Sequence, residues 1–328
     1  MPEGHSVHRI ARQFGANFLG ERPEVTSPQG RFAEGAAMLD RREMTDARAV
    51  GKQMFLEFEE RDWLRVHLGI YGAWDFSGEV RVDPSIQIHA TKFGTGRLGQ
   101  TGMAGALDSA GEDSVASIGA PRRARVRMAE HDRESEAPEQ FPPPPVGQVR
   151  VRLLTETVCA DLRGPTACEV LTPGEVEAVL RRLGPDPANA NTEAERRRFI
   201  ERAGAKRTPI GLVLMDQSVV AGIGNVYRAE LLFRAGLDPH TPANRLGERE
   251  LGALWDDWAR LLDIGITVGQ MITIDGLEGE DYRRALRERD ERHWVYKLEG
   301  TPCKRCGANI VLEEMGSRKL YWCPGCQS

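Results

Sequence analysis

The chain has 328 residues, 40% of them hydrophobic and 28% charged, with a formal net charge of −5 at pH 7. That is enough for two domains with sizeable cores, in the balance usual for a globular protein. No run of about eighteen apolar residues occurs, which excludes an apolar membrane-spanning helix, and the acidic balance argues mildly against a nucleic-acid partner without excluding a local basic patch.

The chain begins MPEGHSVHR. Proline in second place is small enough for Met1 to be trimmed, which leaves a secondary amine beside the Glu3 carboxylate. The same pair also reads as a helix start, since proline suits a first turn and glutamate its dipole. His5, His8, Arg9 and Arg12 follow without an apolar signal core, so a cytoplasmic, non-secreted protein is expected. Val7, Ile10, Ala11, Phe14 and Phe18 recur at helical spacing and predict an amphipathic helix over 3–14, with His5 and His8 on its surface.

Alternation then takes over. Met54, Leu56 and Phe58 share one face of KQMFLEF, and Leu64, Val66 and Leu68 oppose Arg65 and His67. Val149, Val151 and Leu153 oppose Arg150 and Arg152. These patterns predict a strand-rich N-terminal domain. Ile70 and Tyr71 sit between Gly69 and Gly72 at a strand end, as core residues or as an exposed wedge. Residues 85–145 are rich in Gly, Ser, Ala and charge and run into FPPPPVG, which predicts a poorly ordered insertion in a strand connection.

Beyond RLGPDP (182–187) the pattern turns helical and stays so to about residue 290. RRRFIERAGAKR (196–207) carries six basic residues against one acid, as a solvated helix face or a partner surface. Trp255 and Trp258 read as core, Cys159 and Cys168 as core or rim thiols. An apolar helix is predicted from about Ile210 to Val220. It breaks at Ala221–Gly222–Ile223–Gly224, and a second helix starts at Asn225, a favoured N-cap. Such a turn suits a phosphate at a positive helix end, although buried helical hairpins also turn on glycine.

Cys303, Cys306, Cys323 and Cys326 form C-x2-C-x16-C-x2-C, the spacing of a closed, tetrahedral structural zinc site. Four thiolates leave no open position for catalysis. The intervening segment predicts a two-stranded ribbon turning at Gly316, Ser317 and Arg318. Its arginine is either surface charge or a group that enters a groove or grips a phosphate.

Taken together, MPEG, the GK turn, HLGIYG, DQSVVAGIGNVYRAELLF and CKRC…SRKLYWCPGCQ resemble the formamidopyrimidine-DNA glycosylase/endonuclease VIII family. SPQGRFA, DLRGPT and RLGPDP bring the chain nearest the actinobacterial endonuclease VIII branch. The resemblance spans nearly all of the sequence except about 85–145. It implies an α+β multidomain fold: an N-terminal β-sandwich with an N-terminal helix over 1–184, a helix–two-turns–helix domain over 185–295 and a zinc ribbon over 296–328.

The resemblance also implies a function: a bifunctional DNA glycosylase and abasic-site lyase acting on oxidised pyrimidines in double-stranded DNA, as a monomer holding one structural Zn2+. Pro2 then resembles the nucleophile, Glu3 the acid/base and Lys52 the catalytic lysine. His67, Asn225 and Arg318 resemble phosphate-gripping residues, and Ile70 and Tyr71 the residues that fill the gap left by an extruded base. Ser6 departs from the pattern, since many relatives carry a second glutamate there. A non-catalytic DNA-damage-binding protein is the alternative; a zinc-ribbon protein of transcription or RNA metabolism would account for the cysteines alone.

Overall fold

A computed structural model describes residues 2–86, 117–120 and 141–328. They form two compact units. The first runs to Leu180 and takes in Ile266–Gly269; the second holds Arg181–Gly265 and Gln270–Ser328.

The first unit is built on two antiparallel sheets. β1 (Glu24–Thr26), β7 (Val149–Leu154), β8 (Val158–Arg163), β5 (Ala73–Gly78) and β6 (Ser117–Gly119) lie in that order in one. β2 (Met44–Val50), β3 (Gln53–Phe58), β4 (Trp63–His67) and β9 (Ala167–Leu171) form the other. The alternating positions of both sheets meet in one core: Val25, Leu56, Leu64, Val66, Trp74, Phe76, Val151, Leu153 and Leu162 join Phe14 and Phe18 of α1 (Gly4–Phe18). The Phe14 ring meets Trp74 edge-on at 4.7 Å, a favoured aromatic geometry. β3 is buried on both faces, because Phe55 points away from this core to Trp63 and to Val176 and Val179 of α3 (Pro173–Arg182). A short α2 (Ala33–Leu39) packs beside β1.

Helix α1 begins later and ends later than its apolar spacing predicts, and its polar side is covered too. His5 and His8 are buried rather than on the surface. Arg9 donates to the Ile266 carbonyl at 2.7 Å, Gln13 to the Arg81 carbonyl at 2.6 Å, and Asn17 both donates to and accepts from the Arg81 backbone at 2.8 Å. Distant chain covers these positions, so helical periodicity alone does not reveal their burial. Arg152 is likewise buried, in a two-bond pair with Asp161 at 2.7 Å. Most of the expected insertion over 85–145, like Met1, lies outside the described residues. Within it, Ser117–Gly119 pair with β5 as a regular strand, where composition predicts an irregular connection.

The second unit holds α4 (Glu193–Gly204), α5 (Ile210–Val213), α6 (Asn225–Ala235), α7 (Glu248–Val268, its last residues grouping with the first unit) and α8 (Gly279–Arg287). Trp255 and Trp258 are buried, the second edge-on to Tyr227. The basic run lies largely on α4, and much of it bonds internally. Arg198 and Arg202 reach the Leu183 carbonyl, Arg202 also the Ser218 carbonyl, and Lys206 pairs with Asp216. The ribbon strands β10 (Val311–Glu314) and β11 (Lys319–Trp322) lie in the same compact unit as these helices. Ala229 and Phe233 of α6 share an apolar cluster with Val295, Ile310, Tyr321, Cys303 and Cys323.

Candidate functional site

The chain start is buried. Pro2 and Glu3 precede α1, and the Glu3 side chain does not cap the helix, although its carbonyl accepts from Ser6 and Val7 at 3.1 and 3.4 Å. In the next turn, His5 Nε2 lies 3.2 Å from the Ser6 hydroxyl, both residues buried.

Lys52 stands in the two-residue turn joining β2 to β3, where Val50 pairs with Gln53 and Gly51 takes φ 58°. Gln53 in turn pairs with His67 at the end of β4, which brings Lys52 and His67 into one neighbourhood. Burial lowers the His67 pKa, and the charges of Lys52 and Arg65 lower it further, which favours the neutral ring. The chain then turns sharply. Gly69 adopts φ +66° with Thr166 against it, and Gly72 donates to the Leu68 carbonyl at 3.0 Å. A Cβ would stand 1.8 Å from Thr166 Oγ1 at Gly69 and 2.3 Å from the Leu68 oxygen at Gly72. With both bases of the turn closed this tightly, Ile70 and Tyr71 are left 46% and 43% exposed, so they are not core residues.

In the second unit, the helix predicted from Ile210 to Val220 stops at Val213. Asp216 takes over the backbone, its carboxylate accepting from the Ser218 amide at 2.9 Å and its carbonyl from the Val219 amide at 2.8 Å. Gln217 braces the glycine turn before α6, donating to the Ile223 carbonyl at 3.0 Å and accepting from the Gly222 amide at 3.0 Å. Gly184 explains the RLGPDP stretch, since a Cβ there would stand 2.4 Å from the Val219 backbone.

Asn225 is the first residue of α6, not its cap, a place held by Gly224. Its Nδ2 donates to the Lys319 carbonyl at 2.7 Å, and its Oδ1 accepts from Arg228 at 2.5 Å. Lys319 follows Arg318, which is exposed at the ribbon turn. There Gly316 and Ser317 both take positive φ, 62° and 56°, as a two-residue hairpin turn requires. Asn225 and the ribbon turn therefore stand together.

The sulfurs of Cys303, Cys306, Cys323 and Cys326 all lie within 4.8 Å of one another. Two pairs are 3.9 and 3.4 Å apart. Four thiolates about 2.3 Å from a zinc ion would stand about 3.8 Å apart, so the set fits a tetrahedral metal. Gly325 belongs to the same packing, as a Cβ there would stand 2.9 Å from Cys306 Sγ.

Charged residues inside the apolar stretch NVYRAELLF escape sequence reasoning. Arg228 and Glu230 are fully buried. Glu230 accepts from the Trp294, Val295 and Tyr296 amides at 2.8, 3.0 and 2.9 Å and from the Thr273 hydroxyl at 2.5 Å. Burial raises its pKa by more than these donors lower it. The available signal is an arginine and a glutamate on a helix with no polar face to hold them.

Residues 1–135 match the formamidopyrimidine-DNA glycosylase N-terminal domain, 183–275 the helix–two-turns–helix domain of formamidopyrimidine-DNA glycosylase, and 300–328 the zinc finger found in that enzyme and in isoleucyl-tRNA synthetase. Among solved structures, a Lactococcus lactis formamidopyrimidine-DNA glycosylase complex with abasic-site DNA superposes with a TM-score of 0.66 at 16% identity, over 99% of each chain. A mutant of that enzyme with Fapy-dG DNA gives 0.68 at 17% over the whole of both chains, likenesses that bear on the fold. The formamidopyrimidine-DNA glycosylase of Neisseria meningitidis is 34% identical over 154 residues, 47% of this chain and 54% of that one. Endonuclease 8 1 of Mycobacterium tuberculosis is 35% identical over 328 residues, the full length of both chains. Its fold, its cysteine cluster and this end-to-end similarity agree: the chain belongs to the formamidopyrimidine-DNA glycosylase/endonuclease VIII family of DNA-repair glycosylases.

Proposed function

We propose that the protein is a bifunctional DNA glycosylase and abasic-site lyase that removes oxidised bases, mainly pyrimidines, from double-stranded DNA. The burial of Pro2 and Glu3 ahead of α1 supports this most. A glutamate serving only the helix dipole gains nothing by leaving water.

Loss of Met1 exposes the Pro2 nitrogen. An α-amino group titrates near ~7.7–8.0, so roughly a tenth to a fifth is neutral at pH 7, and burial raises that fraction. The target nucleotide leaves the stack. The amine attacks C1′, the bond from C1′ to the base breaks, and the base departs with a proton. Glu3 protonates the ring oxygen as the sugar opens, giving an iminium ion. A secondary amine leaves no nitrogen proton to lose, so the cation persists and draws electrons from C2′. Glu3 takes the C2′ proton, and the 3′ phosphate leaves with the electron pair of its C–O bond. Once Glu3 has passed its proton to solvent, a second elimination moves the C4′ proton to a base and releases the 5′ phosphate with the electron pair of its C–O bond, and water then frees Pro2.

Lys52 offsets phosphate charge at the scissile bond. His67, Asn225 and Arg318 hold backbone phosphates, and Ile70 and Tyr71 fill the vacated stack. Cys303, Cys306, Cys323 and Cys326 hold one structural zinc, which shapes the ribbon and has no open position for chemistry. The protein acts as a monomer.

Duplexes carrying thymine glycol, dihydrouracil, 8-oxoguanine or a plain abasic site test this with Met1-trimmed protein. Cutting at oxidised pyrimidines and abasic sites is expected, with product ends left by both eliminations, and Pro2→Gly should abolish base removal. Tight binding with no cutting would make the protein a damage binder instead.

A further inference from the structure

Arg228 is fully buried on α6, one helical turn after Asn225. Its Nη2 donates to Asn225 Oδ1 at 2.5 Å and to the Lys319 carbonyl at 3.1 Å, and its Nη1 to the Met315 carbonyl at 3.3 Å. Met315 and Lys319 flank the ribbon tip Gly316–Ser317–Arg318, all three residues of which are exposed. The guanidinium thus spans both sides of the turn that carries Arg318.

These bonds also fix the Asn225 amide. A guanidinium only donates and a carbonyl only accepts. Oδ1 must therefore face Arg228 and Nδ2 must face Lys319, leaving one amide hydrogen for another acceptor. Without Arg228 the amide could flip and the tip would lose two of its backbone anchors.

Attachment of the ribbon itself does not need this arginine. Ala229 and Phe233 already share an apolar cluster with Cys303, Cys323 and Tyr321, and Arg305 lies 4.5 Å over the Phe233 ring. Apart from a longer bond of 3.5 Å from Nη1 to the Gly211 carbonyl of α5, these bonds of Arg228 run to Asn225 and the residues flanking the tip. We propose that Arg228 is a positioning residue, setting through Asn225, Met315 and Lys319 where the Arg318 guanidinium stands. The inference rests on the phosphate-binding role proposed above for Asn225 and Arg318. Lysine would keep the charge here but not the planar fork that reaches several acceptors at once.

The test is binding of the zinc-loaded protein to a duplex holding a tetrahydrofuran abasic analogue, measured across salt concentrations for Arg318→Ala, Arg228→Lys and the double variant. Each single variant should bind about tenfold more weakly, the loss expected for one charge-assisted hydrogen bond. Each should also lower the salt slope by about one, as loss of a phosphate contact does. Arg228→Lys changes no charge, so a purely structural role would leave that slope unmoved. The double variant should bind no worse than about threefold below the weaker single one, because both act through one contact.

Additive losses of about a hundredfold, or an unchanged salt slope in Arg228→Lys, would overturn the positioning role alone. Wild-type binding by Arg318→Ala would instead sink the phosphate clamp on which it rests. If Arg228→Lys loses its zinc, Arg228→Gln, a neutral planar donor, replaces it in the additivity test against Arg318→Ala alone, because losing a charge moves the salt slope by itself.

Discussion

Two exposed turns, one in each unit, are held in opposite ways. The Gly69–Gly72 turn is closed by backbone pressed against its neighbours, with Thr166 and the Leu68 carbonyl where a Cβ would go. It carries two apolar side chains. At the ribbon turn a Cβ on Gly316 would meet only the end of the Leu212 side chain, and the turn is held from beneath by buried polar side chains, Asn225 and Arg228. It carries a charge. The wedge proposed for the first turn needs a rigid base at short range. The placing of a single cation proposed for the second needs anchors fixed at a distance, and hydrogen bonds supply that direction.

The comparison breaks first at the metal. Stripping zinc with a chelator, or Cys323→Ala, should unfold the ribbon and release the Arg318 turn while the Gly69 turn is untouched. Structural zinc sites contribute about 10 kcal/mol or more, so this effect is the largest. Circular dichroism with limited proteolysis checks it; cleavage should begin in 296–328.

Next comes Glu230→Ala, which strands three amides, that of Val295 buried and those of Trp294 and Tyr296 half-buried, and the buried Thr273 hydroxyl. A loss of about 3–5 kcal/mol is expected, as when one partner of a buried charged network is removed. Urea denaturation should show the second unit melting early and the first unchanged; coincident transitions at wild-type urea would contradict it.

Glycine substitution sharpens the contrast. Gly69→Ala forces a side chain into φ +66° and onto Thr166, so it should cost about 2–3 kcal/mol and disturb Ile70 and Tyr71. Gly316→Ala meets only the end of the Leu212 side chain and should cost about 1 kcal/mol. Thermal melting separates them, and equal losses would erase the distinction between the two turns.

The smallest effect is pH-dependent. His240 lies 2.7 Å from Asp238 and 2.6 Å from Glu313 of β10. Burial lowers its pKa, but the two carboxylates raise it by more, so the net shift is upward. Its contribution is therefore full below the ordinary value of about 6.5 and fades as pH rises through the raised one. Solvent screening keeps this below about 1 kcal/mol. The second unit should melt slightly higher at pH 6 than at pH 8.5, and His240→Gln should remove the difference.

Much of the molecule is legible in the sequence where the pattern is local. The zinc spacing, the β3–β4 alternation and the apolar stripe of α1 each need only neighbouring residues to interpret. The failures share a cause. His5 and His8 look solvated but are buried, and the partners of the neighbouring Arg9 and Gln13, at Ile266 and Arg81, are remote in sequence. Residues 210–220 look helical because apolar spacing says nothing of Asp216 and Gln217 capturing the backbone. Asn225 looks like a cap because its residue type favours that place, whereas its amide is taken by Lys319 and Arg228. Buried polar partners are long-range facts, and the candidate phosphate clamp is made of them.

Sodium borohydride reduction of Met1-trimmed protein mixed with abasic duplex, followed by peptide mass spectrometry, tests the central claim most directly. The account predicts a DNA-derived sugar fixed to the nitrogen of Pro2, absent in Pro2→Gly. An adduct on Lys52 or another side chain, or none in protein that binds the duplex, would contradict it.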